Sequence, residues 1–293
     1  MQRNFRHINV HPIAGALGAE LSGVDLSKPL GAEVESEIHQ AFLEHLVIFF
    51  RDQDIAPQQE LKFAQMFGEP IEYPQLKGLP DFPLLTEVVK LEDEKVNFGG
   101  VWHSDTAYLE NPPIASMLYA IEVPPYGGDT LFANQYMAYE TLSEGMKATL
   151  EGLIGVNSST KPDMANTRIE RLRQTGQETR SFSAAHPVVR THPETGRKAL
   201  YLNCAHTTHF KGWTEQESLP LLEYLYQHQI KPEFTCRLRW GKGTLALWDN
   251  RCAQHNPVND YHGFKRIMHR IALGRCRSSH LSSFFKTNSE SAL

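Results

Sequence analysis

Strand-sized apolar runs recur along this 293-residue chain, and turn residues close each one before it can lengthen. Val47–Phe50, Leu84–Lys90, Ile114–Val123, Pro187–His192, Lys198–Asn203, Phe234–Trp240, Thr244–Trp248 and Arg266–Gly274 each predict a strand. Helical spacing is confined to a few segments. Over Ala32–Leu46 the apolar residues Val34, Ile38, Phe42, Leu43 and Leu46 fall on one face. Pro57–Phe67 has Pro57 suited to the first turn and Gly68 just past the end, and Ser143–Leu153 has a capping serine. A last helix runs to about Ile230; Thr214 and Glu217 form a capping-box pattern ahead of it, but Pro220 lies deep enough to make Ser218 an alternative cap. Pro124–Phe132 contains a Gly127-Gly128-Asp129 turn that reads as a hairpin-like reversal. Many short strands with a few helices outside predict a mostly β fold, a sandwich or jelly roll. No linker or internal repeat divides the chain, so one domain over 1–293 is expected, with the polar stretch 157–185 as an insertion or lid.

Composition narrows the function classes. Apolar residues make up 41% and charged residues 22%, as in a soluble globular protein. The longest apolar run, Leu46–Phe50, is far short of a membrane span, and the amino terminus lacks the apolar segment of a secretory signal, so a cytoplasmic location is expected. A net charge of -5 gives no electrostatic reason to expect a nucleic-acid partner. The four cysteines form no CxxC pair and read as reduced, mostly buried thiols.

The chemistry starts at Trp102-His103-Ser104-Asp105-Thr106. If this stretch is a strand, His103 and Asp105 point to one face and can reach one metal ion. Trp248-Asp249-Asn250-Arg251, followed by His255, can bring a third ligand. Two imidazoles and one carboxylate are the donor set of non-haem iron oxygenases. A lone His-x-Asp is weak evidence in a chain with 14 histidines, and a buried, hydrogen-bonded histidine in a strand would account for it. A zinc-dependent hydrolase could use the same His/Asp/His set, and a non-catalytic jelly-roll binding protein could carry it as a relic.

Trp102-His103-Ser104-Asp105, Gly127-Gly128-Asp129-Thr130, Trp248-Asp249-Asn250-Arg251 with His255, and Arg266-Ile267-Met268-His269-Arg270 together resemble the taurine dioxygenase (TauD/TfdA) family of iron(II)/2-oxoglutarate oxygenases. The resemblance extends from about Gly18 to Gly274 and implies a double-stranded β-helix, the cupin-like form of the jelly roll. It implies that His103, Asp105 and His255 bind Fe(II), with 2-oxoglutarate and O2 as co-substrates. Arg266 and Thr130 would hold the distal carboxylate of 2-oxoglutarate, a task that suits a planar guanidinium. Arg270, on the same strand face as Arg266, would hold an anionic group of the substrate, and His269 between them should face the other way. Related halogenases lack the carboxylate ligand; Asp105 is present, so hydroxylation is expected, with collapse to an aldehyde or ketone if the oxidised carbon bears sulfur or oxygen.

The pocket departs from the taurine enzymes. Tyr73 stands where they carry a sulfonate-contacting histidine, and His206 and Ser159 stand where they carry aromatic residues. A larger carboxylate, sulfonate or sulfate ester is therefore expected as the small-molecule substrate, with Tyr73, Tyr108, His206 and Phe210 as walls and Thr106 beside the metal. We expect a homo-oligomer, a dimer or tetramer, with no nucleic-acid or membrane partner.

Overall fold

The computed structural model describes residues 5–74, 76–161 and 180–275. In chain order, β1 (Asn9–Pro12) and β2 (Ala19–Ser22) lead into α1 (Ala32–His45), β3 (Val47–Phe50), α2 (Pro57–Ala64), β4 (Pro70–Ile71) and β5 (Thr86–Lys90). Then come β6 (Ala115–Glu122), β7 (Thr130–Asn134), α3 (Gln135–Glu140), α4 (Glu144–Leu150), β8 (Ile154–Ser158), β9 (Ser183–Pro187), β10 (Val189–Thr191), β11 (Lys198–Leu200) and β12 (Thr207–Phe210). α5 (Glu215–Gln229), β13 (Thr235–Leu238), β14 (Leu245–Asp249), β15 (Ala253–Pro257) and β16 (Arg266–Leu273) complete the described chain.

A large sheet runs β1-β2-β3-β14-β6-β16-β4, with β5 also on β16, and a small sheet runs β13-β7-β15. One apolar cluster joins the two sheets: Val47, Phe49, Phe132, Leu238, Trp248 and Met268. The other face of the large sheet packs Ile48, Phe50, Leu245, Leu247 and Ile271 against Ile38 and Phe42 of α1 and Phe63 of α2. β3 is thus buried on both faces, which is why Val47-Ile48-Phe49-Phe50 is an unbroken apolar run rather than an alternating one. Each such side chain contributes roughly 1.5–3 kcal/mol on burial, so this strand pins the jelly roll from both sides. A third cluster, with Ala138, Leu150, Phe210, Leu222 and Leu225, lies beneath α5.

One expectation changes, one of two alternatives holds, and one lies largely outside the described residues. The Gly127-Gly128 turn, with φ of 73° and 67°, is not a hairpin: it carries the chain from β6 in the large sheet to β7 in the small one, tied down by Gly128 N–H donating to Asp260 Oδ1 at 2.7 Å. Thr214 is the cap of α5, its hydroxyl accepting from Glu217 N at 3.2 Å, while Ser218 Oγ accepts from Phe210 N and donates to Thr214 O inside the helix. The polar stretch 157–185 is anchored at both ends, where Asn157 and Ser158 pair with Ala184 and Ser183; the lid reading for 162–179 lies outside the described residues. No helix among the described residues is long and apolar enough to cross a membrane.

Candidate active site

His103 is not in a strand. It makes an isolated antiparallel bridge to His255 of β15, each N–H donating to the other's carbonyl at 3.0 and 2.8 Å, and the chain turns immediately afterwards. Thr106 takes a φ of 45°, a left-handed conformation that strains a β-branched residue and tends to persist at functional sites. The convergence expected from strand periodicity is therefore reached by a clamp and a turn. Both imidazoles meet the same carboxylate oxygen: His103 Nε2 lies 3.5 Å and His255 Nε2 3.8 Å from Asp105 Oδ1. The three ligand atoms lie within 4.8 Å of one another, all on buried residues.

The neighbours of each ligand fix what it presents. His103 Nδ1 donates to Val101 O at 2.7 Å, which leaves the Nε2 lone pair for a metal. Gly99, φ 80°, lies under that ring, and a Cβ there would meet His103 Cε1 at 3.1 Å. Ser116 Oγ donates to Asp105 Oδ2 at 2.6 Å and accepts from Asn250 Nδ2 at 2.9 Å; Asn250 Oδ1 accepts from Trp248 Nε1 at 3.0 Å. This chain occupies Oδ2 and turns Oδ1 toward the histidines. The His255 ring is held by packing, 4.7 Å from the Trp248 ring and 6.1 Å from Phe132. Burial alone would raise the Asp105 pKa, but the Arg270 guanidinium, His255 and His103 hold it well below the usual carboxylate range. Burial, reinforced by His103, pushes His255 well below the ordinary imidazole value. Asp105 anionic and His255 neutral are the protonation states that a metal requires.

Arg266 and Arg270 share one face of β16, both only 6% exposed, whereas His269 faces α2 and pairs through Nδ1 with Glu60 at 2.8 Å. Arg270 Nη2 lies 2.7 Å from Asp105 Oδ1, an ion contact without hydrogen-bond alignment, and its guanidinium sits 4.2 Å from the Tyr73 ring centre. Burial works against its charge, and Asp105 and Tyr73 outweigh that, so its pKa is raised. Arg266 Nε and Nη2 are buried without a hydrogen-bond partner among the described residues. Burial lowers its pKa against the opposing pull of Tyr261 and Asp129. Thr130, first residue of β7, accepts from the donor-only Trp240 Nε1 at 2.9 Å, so its hydroxyl proton is free to be given to an anion.

Tyr73, Tyr108 and His206 fall near the triad. The Tyr108 ring is edge-on to His206 at 4.9 Å, His206 lies 6.2 Å from the His103 ring, and Phe182 stacks on Tyr108 at 6.0 Å. The Thr106 hydroxyl is buried without a partner among the described residues. Phe210 does not join them: its ring packs on Trp213 at 5.4 Å within the cluster beneath α5. A cleft of about 680 Å³ opens beside Tyr73, lined by Leu76, Leu79, Pro83 and Phe182 and by the charged Glu72, Lys77 and Arg180.

Sequence reasoning missed Ser116, Asn250, Trp240 and Tyr261. Asn250 lay inside a quoted motif, but its partner Ser116 is 134 residues away and carries no local signal. The flanking Asp249 and Arg251 are structural. Arg251 donates to both Asp249 oxygens at 2.8 and 2.7 Å and to Glu194 at 2.7 Å, and His192 lies 3.0 Å from Asp249. A carboxylate so committed is not available to a metal, although Asp249 also lies close to His192 and Cys252. The network fixes the turn between β14 and β15, and with it the place of His255.

Two imidazole nitrogens, one with its tautomer fixed by Val101, and a single outward carboxylate oxygen are a donor set that would suit Fe(II) and leave coordination positions open for a 2-oxoacid and O2. Residues 9–272 match the family model described as "Taurine catabolism dioxygenase TauD, TfdA family". The chain is 34% identical to an alkylsulfatase of Acinetobacter baylyi, over 93% of this chain and 87% of that one. It is 36% identical to an alpha-ketoglutarate-dependent sulfate ester dioxygenase of Pseudomonas putida, over 91% and 89%. A solved taurine dioxygenase structure from Burkholderia xenovorans superposes with a TM-score of 0.78 at 34% identity, covering 92% of this chain and 90% of that one.

Proposed function

Because the chain belongs to the TauD/TfdA dioxygenase family, we propose that this iron(II)- and 2-oxoglutarate-dependent oxidoreductase oxidises organic sulfate esters at the carbon that bears the ester oxygen. Its double-stranded β-helix is the family's jelly roll. A zinc hydrolase would have no use for Arg266 and Thr130, and family membership sets that alternative and the binding-protein alternative aside.

Arg270 is the observation that carries the substrate reading. A guanidinium 6% exposed, in ion contact with the iron-binding carboxylate and under an aromatic ring, keeps its Nε without a hydrogen-bond partner among the described residues, a buried donor that a second anion would satisfy. Low local dielectric makes its pull on a sulfate strong. The two sulfate-ester relatives, matched over about nine-tenths of this chain, support sulfate over carboxylate. The apolar part of the cleft beside Tyr73, formed by Leu76, Leu79, Pro83 and Phe182, suits an alkyl tail.

His103, Asp105 and His255 would hold the iron, and Ser116 occupies Asp105 Oδ2, which leaves Oδ1 for it. Iron(II) held there supplies the activation of O2, and 2-oxoglutarate supplies two electrons and leaves as succinate and CO2. Arg266 and Thr130 orient the 2-oxoacid through its distal carboxylate. Arg270 fixes the sulfate and thereby brings the adjacent carbon to the metal, which is positioning by binding energy. Hydroxylation of that carbon gives a species that breaks its C–O bond to the sulfate: R–CH2–OSO3⁻, 2-oxoglutarate and O2 yield R–CHO, hydrogen sulfate, succinate and CO2.

The test is a panel of linear and branched alkyl sulfates, taurine, alkyl sulfonates and aryloxyacetates, followed by succinate, sulfate and aldehyde release. Alkyl sulfates should turn over with equal yields of all three products. Turnover of taurine or aryloxyacetates with no alkyl sulfate accepted would overturn the proposal.

A further inference from the structure

Lys90 ends β5 directly opposite Arg266 of β16. Directly opposed residues of an antiparallel pair hold their Cβ atoms about 4.5–5.5 Å apart on one face, and like charges there are destabilising. Both cations are nearly closed to solvent, Lys90 at 3% exposure and Arg266 at 6%. Lys90 Nζ and Arg266 Nε and Nη2 have no hydrogen-bond partner among the described residues. The contact that Lys90 does make is with the face of Tyr261, 4.6 Å from its centroid; Tyr261 also favours the charged form of Arg266, as does the more distant pull of Asp129, whose Oδ2 is paired with Arg237 at 2.6 Å. Two buried, opposed cations around one phenol are unfavourable by themselves, by like-charge repulsion and by desolvation of an ammonium whose three donors go unused. An anion shared between them reverses both terms.

We propose that Lys90 is a second cation for the distal carboxylate of 2-oxoglutarate, shared with Arg266, and that it sets selectivity for a 2-oxo diacid over 2-oxo monoacids. The inference rests on Arg266 holding that carboxylate. Arg266 supplies a planar fork and Lys90 a point charge, so the pair reads the full charge of the carboxylate, which pyruvate lacks.

The test is calorimetric binding of 2-oxoglutarate and of pyruvate to Mn(II)-loaded protein without O2, in wild type, Lys90→Met, Lys90→Gln and Arg266→Met, together with melting of each variant. Lys90→Met should raise the 2-oxoglutarate Kd about tenfold or more, the effect of one lost charge-assisted hydrogen bond, and leave the pyruvate Kd within about twofold. Its melting temperature without a 2-oxoacid should hold or rise, because the opposed charge is gone; a merely structural lysine would lower it. If Lys90→Met melts early, Lys90→Gln, which keeps hydrogen-bonding capacity without charge, decides: wild-type melting with weakened 2-oxoglutarate binding supports the role, and early melting with an unchanged 2-oxoglutarate Kd overturns it. An unchanged 2-oxoglutarate Kd in the Lys90 variants with a weakened one in Arg266→Met overturns the role of Lys90 alone. Unchanged affinity in all three overturns the Arg266 assignment with it, and an equal loss for pyruvate shows that Lys90 does not read the distal carboxylate.

Discussion

Replacing Arg270 by Met removes the proposed substrate anchor together with its ion contact to Asp105, so metal affinity is measured alongside turnover. Methionine is close in length and apolar, so it fills the space under Tyr73 while removing the charge. Nε of Arg270 has no hydrogen-bond partner among the described residues and can donate to a sulfate, while Nη2 lies 2.7 Å from Asp105 Oδ1. Each hydrogen bond to a charged group is worth about 1.5–3 kcal/mol, and removing one partner of a buried charged pair costs about 2–5 kcal/mol. Taking about 3–4 kcal/mol, kcat/KM for an alkyl sulfate should fall roughly 10²–10³-fold. The assay follows sulfate and succinate release under O2 with iron and 2-oxoglutarate saturating. The 2-oxoglutarate Kd should stay within about threefold, since Arg266 and Thr130 are the residues proposed to hold that molecule, and succinate formation should become uncoupled from sulfate release. Arg270→Lys should recover part of the loss, as it restores the charge without the fork. A fall of less than about threefold in Arg270→Met, or an equal loss of 2-oxoglutarate affinity, would refute the anchoring role.

Other perturbations test the support around the site. Ser116→Ala frees Asp105 Oδ2 and should weaken metal binding about 10–100-fold in a chelator competition, with little change in fold. Asp249→Asn leaves the Arg251 guanidinium, 9% exposed, short of its main counter-charge and should cost about 3–5 kcal/mol in denaturant unfolding. Glu194 resists the rise that burial would bring because His39 and Arg251 hold its pKa down to about 2, against an ordinary value of 4.5. Its folded pKa lies below its unfolded one, so its stabilisation is full above about pH 4.5 and is lost as pH falls toward 2. Melting from pH 7 to pH 3 should fall less steeply in Glu194→Gln than in wild type.

Much of the site could be read where a local period carries the information. On β16 an even offset places Arg266 and Arg270 on one face and His269 on the other, and the structure agrees down to the His269–Glu60 pair. The buried β3 was legible for the same reason: four consecutive apolar residues need two apolar neighbours. What failed depended on partners distant in sequence. His103 and Asp105 converge through a bridge to His255, 152 residues on, rather than through a strand of their own. The Gly127-Gly128 turn looks the same locally whether the next strand returns to its own sheet or crosses to another; the sheet assignment of β7 decides it. Phe210 is apolar in either place, and only the packing of α5 over β12 assigns it to the core. Lys90 was visible as the end of a strand, yet its meaning appears only once β5 is registered against β16.

His103, Asp105 and His255 form the buried set proposed to hold iron for a 2-oxoacid. The most direct measurement is an anaerobic titration of the metal-free protein with Fe(II) and 2-oxoglutarate, following the visible charge-transfer absorption of an iron(II)–2-oxoacid chelate. Wild type should develop it to saturation at one iron per chain, and Asp105→Ala and His255→Ala, shown by circular dichroism to be folded, should not. The same absorption at the same stoichiometry in either variant would contradict the assignment.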